Sequence, residues 1–291
     1  MTQAVPASSP DRCLVMGVVN VTPDSFSDGG LWIDPEAAVR HGLELVEQGA
    51  DLVDVGGEST RPGALRVDAA EERRRVVPVV RELASAGVAV SVDTMRADVA
   101  EAALEAGAAL VNDVSGGRAD PAMVPLAASS GARIVLMHWR GHSDHMQDLT
   151  QYDDVVTDVL TELREQVDRA LAAGVRPEQV VVDPGLGFSK TGAQNWTVLA
   201  GLHRFVALGL PVLVAASRKG FLGHLLADAE GPRPPLGSDD ATAAVTTLAA
   251  QAGAWCVRVH EARASADAVR VVARLAQETA QLTAHEGIHR A

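Results

Sequence analysis

Eight short runs rich in β-branched residues recur along the chain, at 14–19, 52–55, 88–92, 109–111, 134–137, 180–182, 212–215 and 256–259, with helical segments between them. Continuous apolar character is what a strand covered on both faces requires, and strands joined through helices pair in parallel. The intervening stretches carry helix punctuation: Asp34-Pro35 as N-cap and first helical residue, Asp68 with Glu71 at capping-box spacing, and Asp120-Pro121. Gly49, Gly87, Gly107, Gly131, Gly174, Gly209 and Gly253 follow those helices, where a left-handed residue ends a helix with least strain. Eight strand–helix units in one pass predict an α/β fold, a single (β/α)8 barrel. A chain of 291 residues leaves room for two domains, but barrels of this type commonly reach about 250 residues as one unit. The expectation is one domain over 1–291, with its core at about 14–284.

An open doubly wound sheet has the same periodicity, and the polar residues separate the two. Nearly every run ends in a group with chemistry to offer: Asn20, the Gly56–Arg61 stretch, Asp93, Asn112-Asp113, His138, Asp183, Ser217-Arg218-Lys219, and Arg258 with His260. Barrel enzymes collect such groups at the carboxyl ends of many strands, whereas an open sheet concentrates them at one switch point. The scattered set favours the barrel.

Charge and composition exclude several roles. Lys and Arg number 25 against 38 Asp and Glu, a net charge of −13, which opposes broad attraction to nucleic acid or an anionic membrane. No segment approaches the roughly 18 uninterrupted apolar residues that cross a bilayer. Cys13 and Cys256 cannot build a disulfide framework, and no basic leader opens the sequence, so a cytoplasmic protein is expected. Neither a GxGxxG fingerprint nor a GxxxxGK[ST] loop is present, which disfavours nicotinamide cofactors and ATP. His138, His142 and His145 are closely spaced, but catalytic zinc needs converging ligands with second-shell support, and the polar loop around Gly141, Ser143 and Asp144 reads more simply as a solvated connection.

Asp93, Asn112 and Asp183 each terminate an apolar run, so each should point into a cup where burial strengthens hydrogen bonds and penalises unpaired charge. A buried carboxylate suits a planar guanidine-like edge, two N–H groups facing two oxygens, and an asparagine serves a donor and an acceptor together. A pterin or purine-like ring fits that demand, and Lys219 adds a cation for a ring carbonyl. Any one of these residues alone would serve equally as a helix cap.

Arg258 and His260 lie two apart on an extended run and project to one face. Once strand eight closes on strand one, Asn20 joins them as a candidate diphosphate or anion site, and its side-chain oxygen is an acceptable hard ligand for Mg²⁺. His260 alone would read as a structural histidine. The loops 21–30 and 57–63 are rich in glycine and hydroxyl groups, and Phe26 and Arg61-Pro62 have no evident core partner there. Mobile lids that exclude water and complete a site have this character.

These segments resemble the bacterial dihydropteroate synthase family. The resemblance is carried, in order, by Met16–Gly30, by Asp54-Val55-Gly56-Gly57-Glu58-Ser59-Thr60-Arg61-Pro62-Gly63, and by Ser91-Val92-Asp93-Thr94 and Val111–Gly117. It continues through Asp183-Pro184-Gly185-Leu186-Gly187-Phe188, Ser217-Arg218-Lys219 and Arg258-Val259-His260, and covers about 14–272. It implies a barrel that joins 6-hydroxymethyl-7,8-dihydropterin diphosphate to 4-aminobenzoate, releasing diphosphate and 7,8-dihydropteroate for folate synthesis. It further implies that Asp93, Asn112, Asp183 and Lys219 hold the pterin, with Arg258 over its ring and Phe188 among the substrate contacts. Asn20, Arg258 and His260 would bind the diphosphate with Mg²⁺, Thr60 would contact the same substrate, and Phe26, Arg61, Pro62 and Ser217 would surround the aminobenzoate. Lys219, Arg258, His260, Asp93 and Asp183 would carry catalysis, in a homodimer. The motifs assign no role to the 141–153 loop.

Three other readings stay open at this point. A pterin-binding methyltransferase shares the ring recognition but does not need Arg61-Pro62 or the Arg258-Val259-His260 clamp. A non-catalytic pterin-binding paralogue is disfavoured by intact lid loops. A sugar-phosphate isomerase explains the anion site but not two buried carboxylates.

Overall fold

The computed structural model describes residues 11–22, 34–59, 67–142 and 146–288. Strand and helix alternate through the chain: β1 (Leu14–Asn20), α1 (Pro35–Glu47), β2 (Leu52–Gly56), α2 (Ala69–Ser85), β3 (Val90–Asp93), α3 (Ala97–Glu105), β4 (Leu110–Asp113), α4 (Met123–Ser130) and β5 (Arg133–Met137). They continue with α5 (Val155–Ala172), β6 (Val180–Asp183), α6 (Gly192–Ala200), α7 (Leu202–Val206), β7 (Leu213–Val214), α8 (Gly220–Leu225), α9 (Asp239–Gln251), β8 (Cys256–Val259) and α10 (Arg263–Ile288).

All eight strands are parallel, in the order β6-β5-β4-β3-β2-β1-β8-β7. The first strand pairs with the last, Leu14 opposite Cys256 and Met16 opposite Arg258. The remaining gap is spanned by a single parallel bridge, Val182 to Val212, with Val182 N donating to the Pro211 carbonyl at 2.9 Å. The chain is the (β/α)8 barrel that the apolar runs imply, with its loosest seam between β6 and β7.

Strand ends differ from the sequence reading in one consistent way. Asn20, Asp93, Asn112 with Asp113, and Asp183 are the last residues of their strands rather than the first residues beyond them. Their backbones belong to the ladder, which fixes their side-chain directions.

Helix termini follow local chemistry. Asp34 caps α1 by accepting from Glu36 N, with Pro35 in the first turn. Asp68 accepts from Glu71 N at 2.8 Å, but the Glu71 carboxylate turns to Arg74 and Arg75 instead of returning to the cap, so half of the capping box forms. Asp120 departs further from expectation: α4 starts at Met123, and Asp120 accepts from Ala122 N at 2.9 Å and from Ala97 N, at the head of α3, at 2.8 Å. One carboxylate thereby serves two successive units. Gly131 ends α4 at a φ of 73°, a conformation that costs an L side chain about 1 kcal/mol or more.

The core has two layers. Leu14, Met16, Leu52, Leu110, Val135, Val181, Leu213 and Cys256 fill the inside of the barrel, with Trp255 at its amino-terminal end. Outward-facing valines of the same strands pack under the helices, among them Val15, Val53, Val92, Val111 and Val182 against Leu45, Leu83, Leu163 and Phe205. Because successive residues alternate faces, the apolar floor set by Leu52 puts Asp54 and Gly56 above it on the same inner face. The polar mouth therefore stands on a closed hydrophobic plug. Cys13 and Cys256 are free thiols buried in this structure. No described helix is long and apolar enough to cross a membrane.

Truncating the plug tests this arrangement. Leu110→Ala, at a fully buried position, is expected to lower unfolding free energy by about 2–5 kcal/mol in urea titration. Leu225→Ala, at a side chain 63% exposed, should change it by ~0.5 kcal/mol or less.

Candidate functional site

At the carboxyl ends of the strands, residues far apart in sequence converge. Asp93 and Asn112 are direct partners across β3 and β4, and Asp183 ends β6 opposite Met137 of β5. Arg258 comes from β8, Ser217 and Lys219 follow β7, and His260 lies just past β8.

Arg258 organises one wall. Its Nε donates to Asp54 Oδ2 at 2.6 Å and its Nη2 to Asp93 Oδ2 at 2.8 Å, while Asn112 Nδ2 donates to the same Asp54 oxygen at 2.8 Å. Asp54 is fully buried, and its other oxygen, Oδ1, has no hydrogen-bond partner among the described residues. Burial drives the Asp93 carboxyl up to about 7, with Arg258 opposing the rise and Asp54 adding to it. For Arg258, burial works against the charge, but Asp54 and Asp93 outweigh it and raise its pKa.

The facing wall is built on the loop after β6. Asp183 Oδ1 accepts from Gly185 N at 2.7 Å. Lys219 Nζ donates to the Leu186 carbonyl and stands 4.7 Å from the centre of the Phe188 ring. Burial lowers Lys219 to about 8, with Asp183 and Asp93 opposing, and burial raises Asp183, with Lys219 opposing. Two glycines make the approach possible. A Cβ on Gly185 (φ 69°) would meet the His138 carbonyl oxygen at 2.5 Å, and one on Gly187 (φ 80°) would meet the Lys219 side chain at 2.8 Å.

Ser217 and His260 form a separate pair. The His260 backbone N–H donates to Ser217 Oγ at 3.2 Å, and Ser217 Oγ lies 3.0 Å from His260 Nδ1. Ser217 Oγ thus ties the backbone and the ring of His260 to the connection after β7. Asn20, half-buried, sits opposite Gly56 at the end of β1.

The sequence reading gathered Asp93, Asn112, Asp183, Ser217, Lys219, Arg258, His260, Phe188 and Asn20, and all of them lie at this carboxyl-terminal mouth. Phe26, Thr60, Arg61 and Pro62 lie outside the described residues, as does His145. Two residues of the strand-end set serve the scaffold instead. Asp113 faces outward and accepts from Ser115 N and Oγ and from Gly117 N, which shapes the turn after β4. Arg218, at a φ of 56°, pairs with Asp239 at 2.7 Å. His138 is likewise engaged by Lys190 and Glu162, and among the described residues no cluster of three His, Cys, Asp or Glu side chains is placed to hold a metal.

Asp54, partner of both Arg258 and Asn112, is the candidate site residue that sequence reasoning missed. It sits inside an apolar run rather than at its end, and its signal was a carboxylate in the inward register of a strand with buried neighbours. On either side of the stretch 60–66, which lies outside the described residues, Arg96 donates to Glu58 Oε2 and to the Val67 carbonyl, and Val67 N donates back to Glu58.

Chemically, each side of the mouth sets carboxylates against a cation, Asp54 and Asp93 with Arg258 on one and Asp183 with Lys219 on the other, with the Asn112 amide on the first and an imidazole at the rim. Such an arrangement suits a flat, donor-rich heterocycle carrying an anionic tail. A cavity of about 670 Å³ at the opposite end of the barrel offers no comparable set. There Arg12 is taken up by Asp51, and Arg133 donates to the Glu178 carbonyl while stacking on Trp255.

The family model for pterin binding enzyme matches residues 16–260. The dihydropteroate synthase of Mycobacterium leprae (strain TN) is 59% identical over 260 residues, covering 89% of this chain and 92% of that protein. A crystal structure of Yersinia pestis dihydropteroate synthase with a sulfonamide drug complex superposes with a TM-score of 0.87 at 40% identity, covering 91% of this chain and 95% of that one. The Xanthomonas albilineans dihydropteroate synthase with 4-aminobenzoic acid gives a TM-score of 0.82 at 46% identity, over 90% of this chain and 92% of that one. In complex with 7,8-dihydropteroate it gives 0.79 at 42% identity, over 90% and 93%.

The elevated Asp93 fixes a pH signature. Its folded form holds a proton up to about 7, whereas an unfolded aspartate releases it near 4. The carboxyl therefore contributes stability that is complete below about pH 4 and is lost as pH rises through about 7. Urea titrations at pH 5 and pH 8 should show wild type losing more stability than Asp93→Asn over that interval; parallel curves would place the ionisation elsewhere.

Proposed function

The chain belongs to the pterin-binding enzyme family, and from that premise we infer that it catalyses the dihydropteroate synthase reaction. In that reaction the methylene carbon of 6-hydroxymethyl-7,8-dihydropterin diphosphate exchanges its C–O bond to diphosphate for a C–N bond to 4-aminobenzoate. Diphosphate departs, the amine loses one proton, and 7,8-dihydropteroate is formed for folate synthesis.

The observation that carries this reading is that Asp54, Asp93, Asn112 and Arg258 form one hydrogen-bonded set at the carboxyl ends of the strands, with Lys219 close enough to feel the charges of Asp183, Arg258 and Asp93. Asp183 and Asn112 receive the guanidine-like edge of the pterin, where two N–H groups match the carboxylate oxygens. Lys219 takes the ring carbonyl, and Phe188 closes the side of the site under its ammonium. Arg258 lies over the ring with its guanidinium held by Asp54 and Asp93. A sugar phosphate leaves these carboxylates without partners.

At the rim, the His260 imidazole and the Arg258 guanidinium neutralise the diphosphate, which makes it a competent leaving group. Departure precedes attack: the electron-rich dihydropterin stabilises the developing methylene cation, and Asp93 and Asp183 offset the positive charge that spreads over the ring. The aryl amine is already nucleophilic when neutral, so no strong base is required. Holding two flat substrates in line is the main contribution of the protein. Phe26, Thr60, Arg61 and Pro62 complete the aminobenzoate side by family resemblance.

Magnesium is the cation this reading requires, and Asn20 is the residue that would hold it. Its amide oxygen is a hard donor at the carboxyl end of β1, the strand that pairs with the β8 strand carrying Arg258, and the described residues offer no carboxylate cluster of their own. That suits an ion that keeps water and bonds mainly to substrate phosphate. When bound it supplies further neutralisation of the leaving diphosphate.

A homodimer is proposed on the packed pair α9 and α10, whose outer surface carries Leu248, Val271, Leu275 and Leu282 at 62–66% exposure. Contiguous exposed apolar side chains on neighbouring helices mark an association surface. We place the enzyme in the cytoplasm, where its two free thiols stay reduced.

Formation of 7,8-dihydropteroate together with one diphosphate per product, measured with both substrates and Mg²⁺, tests the reaction; diphosphate release with no dihydropteroate formed in the presence of 4-aminobenzoate would refute it. Lys219→Ala or Asp183→Asn should weaken pterin diphosphate binding by about 30-fold or more, the scale of a lost charged hydrogen bond in a buried site. His260→Ala should cost about tenfold against the diphosphate substrate and much less against a pterin that lacks the diphosphate. In sedimentation velocity, Leu275→Glu should convert a dimer to monomer; a variant that sediments as wild type removes this face from the interface.

A further inference from the structure

Behind the loop that follows β6 runs a buried chain of ionisable side chains that the reaction does not consume. Lys190, 3% exposed, donates from Nζ to His138 Nδ1 at 3.0 Å, to the Gly185 carbonyl at 3.0 Å and to the Phe188 carbonyl at 3.1 Å. An ammonium has three donors, and all three are used. Because Nδ1 accepts, His138 carries its proton on Nε2, 2.9 Å from Glu162 Oε2. Arg140 closes the chain, with Nε 3.1 Å from each Glu162 oxygen.

The charges agree with this proton assignment. Burial, aided by Lys190, lowers His138 to about 4, so the ring is neutral. For Glu162 burial acts upward, but His138 and Arg140 hold it at about 2. Burial pulls Lys190 down to about 7, with Asp183 opposing.

The same loop is gripped a second time. Tyr152 donates its hydroxyl to the Ser189 carbonyl at 2.9 Å, and the Arg140 guanidinium stacks 3.8 Å over the Tyr152 ring. Ser189 is held at a φ of 46°, the left-handed region a residue with a side chain adopts only under outside constraint. What the loop presents on its other side is the pterin wall: the Gly185 N–H on Asp183, the Leu186 carbonyl on Lys219, and the Phe188 ring below that ammonium.

A buried cation is a poor choice for stability alone, since well-packed apolar side chains commonly replace buried ion networks without loss. Its value lies in directed donors for two loop carbonyls that turn away from the sheet. We infer that Lys190, braced by His138, Glu162 and Arg140, is a positioning residue that holds the loop 185–189 so that Asp183 and Lys219 meet the pterin ring. The connection after β5 is the brace: Tyr152 comes from the 141–153 stretch that the motifs left without a role, and Arg140 immediately precedes it.

This rests on the pterin reading, and wild-type binding of 6-hydroxymethylpterin by calorimetry tests that premise separately: if wild type does not bind, it is the function that fails. With wild type binding, Lys190→Met and His138→Leu should each weaken the pterin by about tenfold or more, the scale of a lost charged hydrogen bond. The KM for 4-aminobenzoate at saturating pterin diphosphate should stay within about twofold, because the brace touches only the pterin wall. His138→Asn, whose amide oxygen replaces Nδ1 as acceptor, should recover most of the pterin affinity. If Lys190→Met fails to fold, the His138→Leu and His138→Asn pair decides. Wild-type pterin affinity in a folded Lys190→Met or His138→Leu, equal losses for both substrates, or no recovery in His138→Asn would each overturn the proposal.

Discussion

A single guanidinium shared by two buried carboxylates sets the terms for everything at the mouth of this barrel. Asp54 and Asp93 face the same interior, and two acids there repel each other unless a cation stands between them. Arg258 is that cation, at 2.6 and 2.8 Å. On the proposed function, the charge that makes the acidic pair tolerable is also the charge that would act on substrate. Structure and chemistry share one group, and neither role can be altered alone.

That sharing depends on closure. Arg258 belongs to the last strand, and its carboxylate partners belong to the second and third. They meet because β8 pairs with β1, with Met16 opposite Arg258, and because the pleat turns alternate residues inward. Below them the apolar plug excludes water from the barrel interior, which is why Asp93 is pushed so far from its ordinary ionisation. The floor thus controls the electrostatics of the mouth without touching any ligand.

Much of this was legible in the chain. Eight apolar runs separated by helices, each helix closed by a glycine, specify the barrel because few other folds bury eight strands on both faces. The strand-end rule found Asp93, Asn112, Asp183, Lys219 and Arg258 because a polar residue that ends a buried strand must open into a cavity. The rule overreached at Asp113 and Arg218, whose side chains point away from the mouth to serve a turn and an ion pair. It missed Asp54, one layer deeper than the strand end. It reached His138 without its partners, and Lys190 and Glu162 were beyond it for a different reason: their association is set by how α5 packs against the loop after β6, and no spacing along the chain encodes that.

One feature of the sheet reaches beyond the fold itself. The cylinder is stitched most weakly between β6 and β7, where a lone bridge does the work that several hydrogen bonds do elsewhere. Asp183 stands on one bank of that gap and Lys219 on the other. A molecule gripped by both therefore acts as an extra rung across the ladder. On the proposed function, occupancy would finish the staves of the barrel as well as fill its mouth.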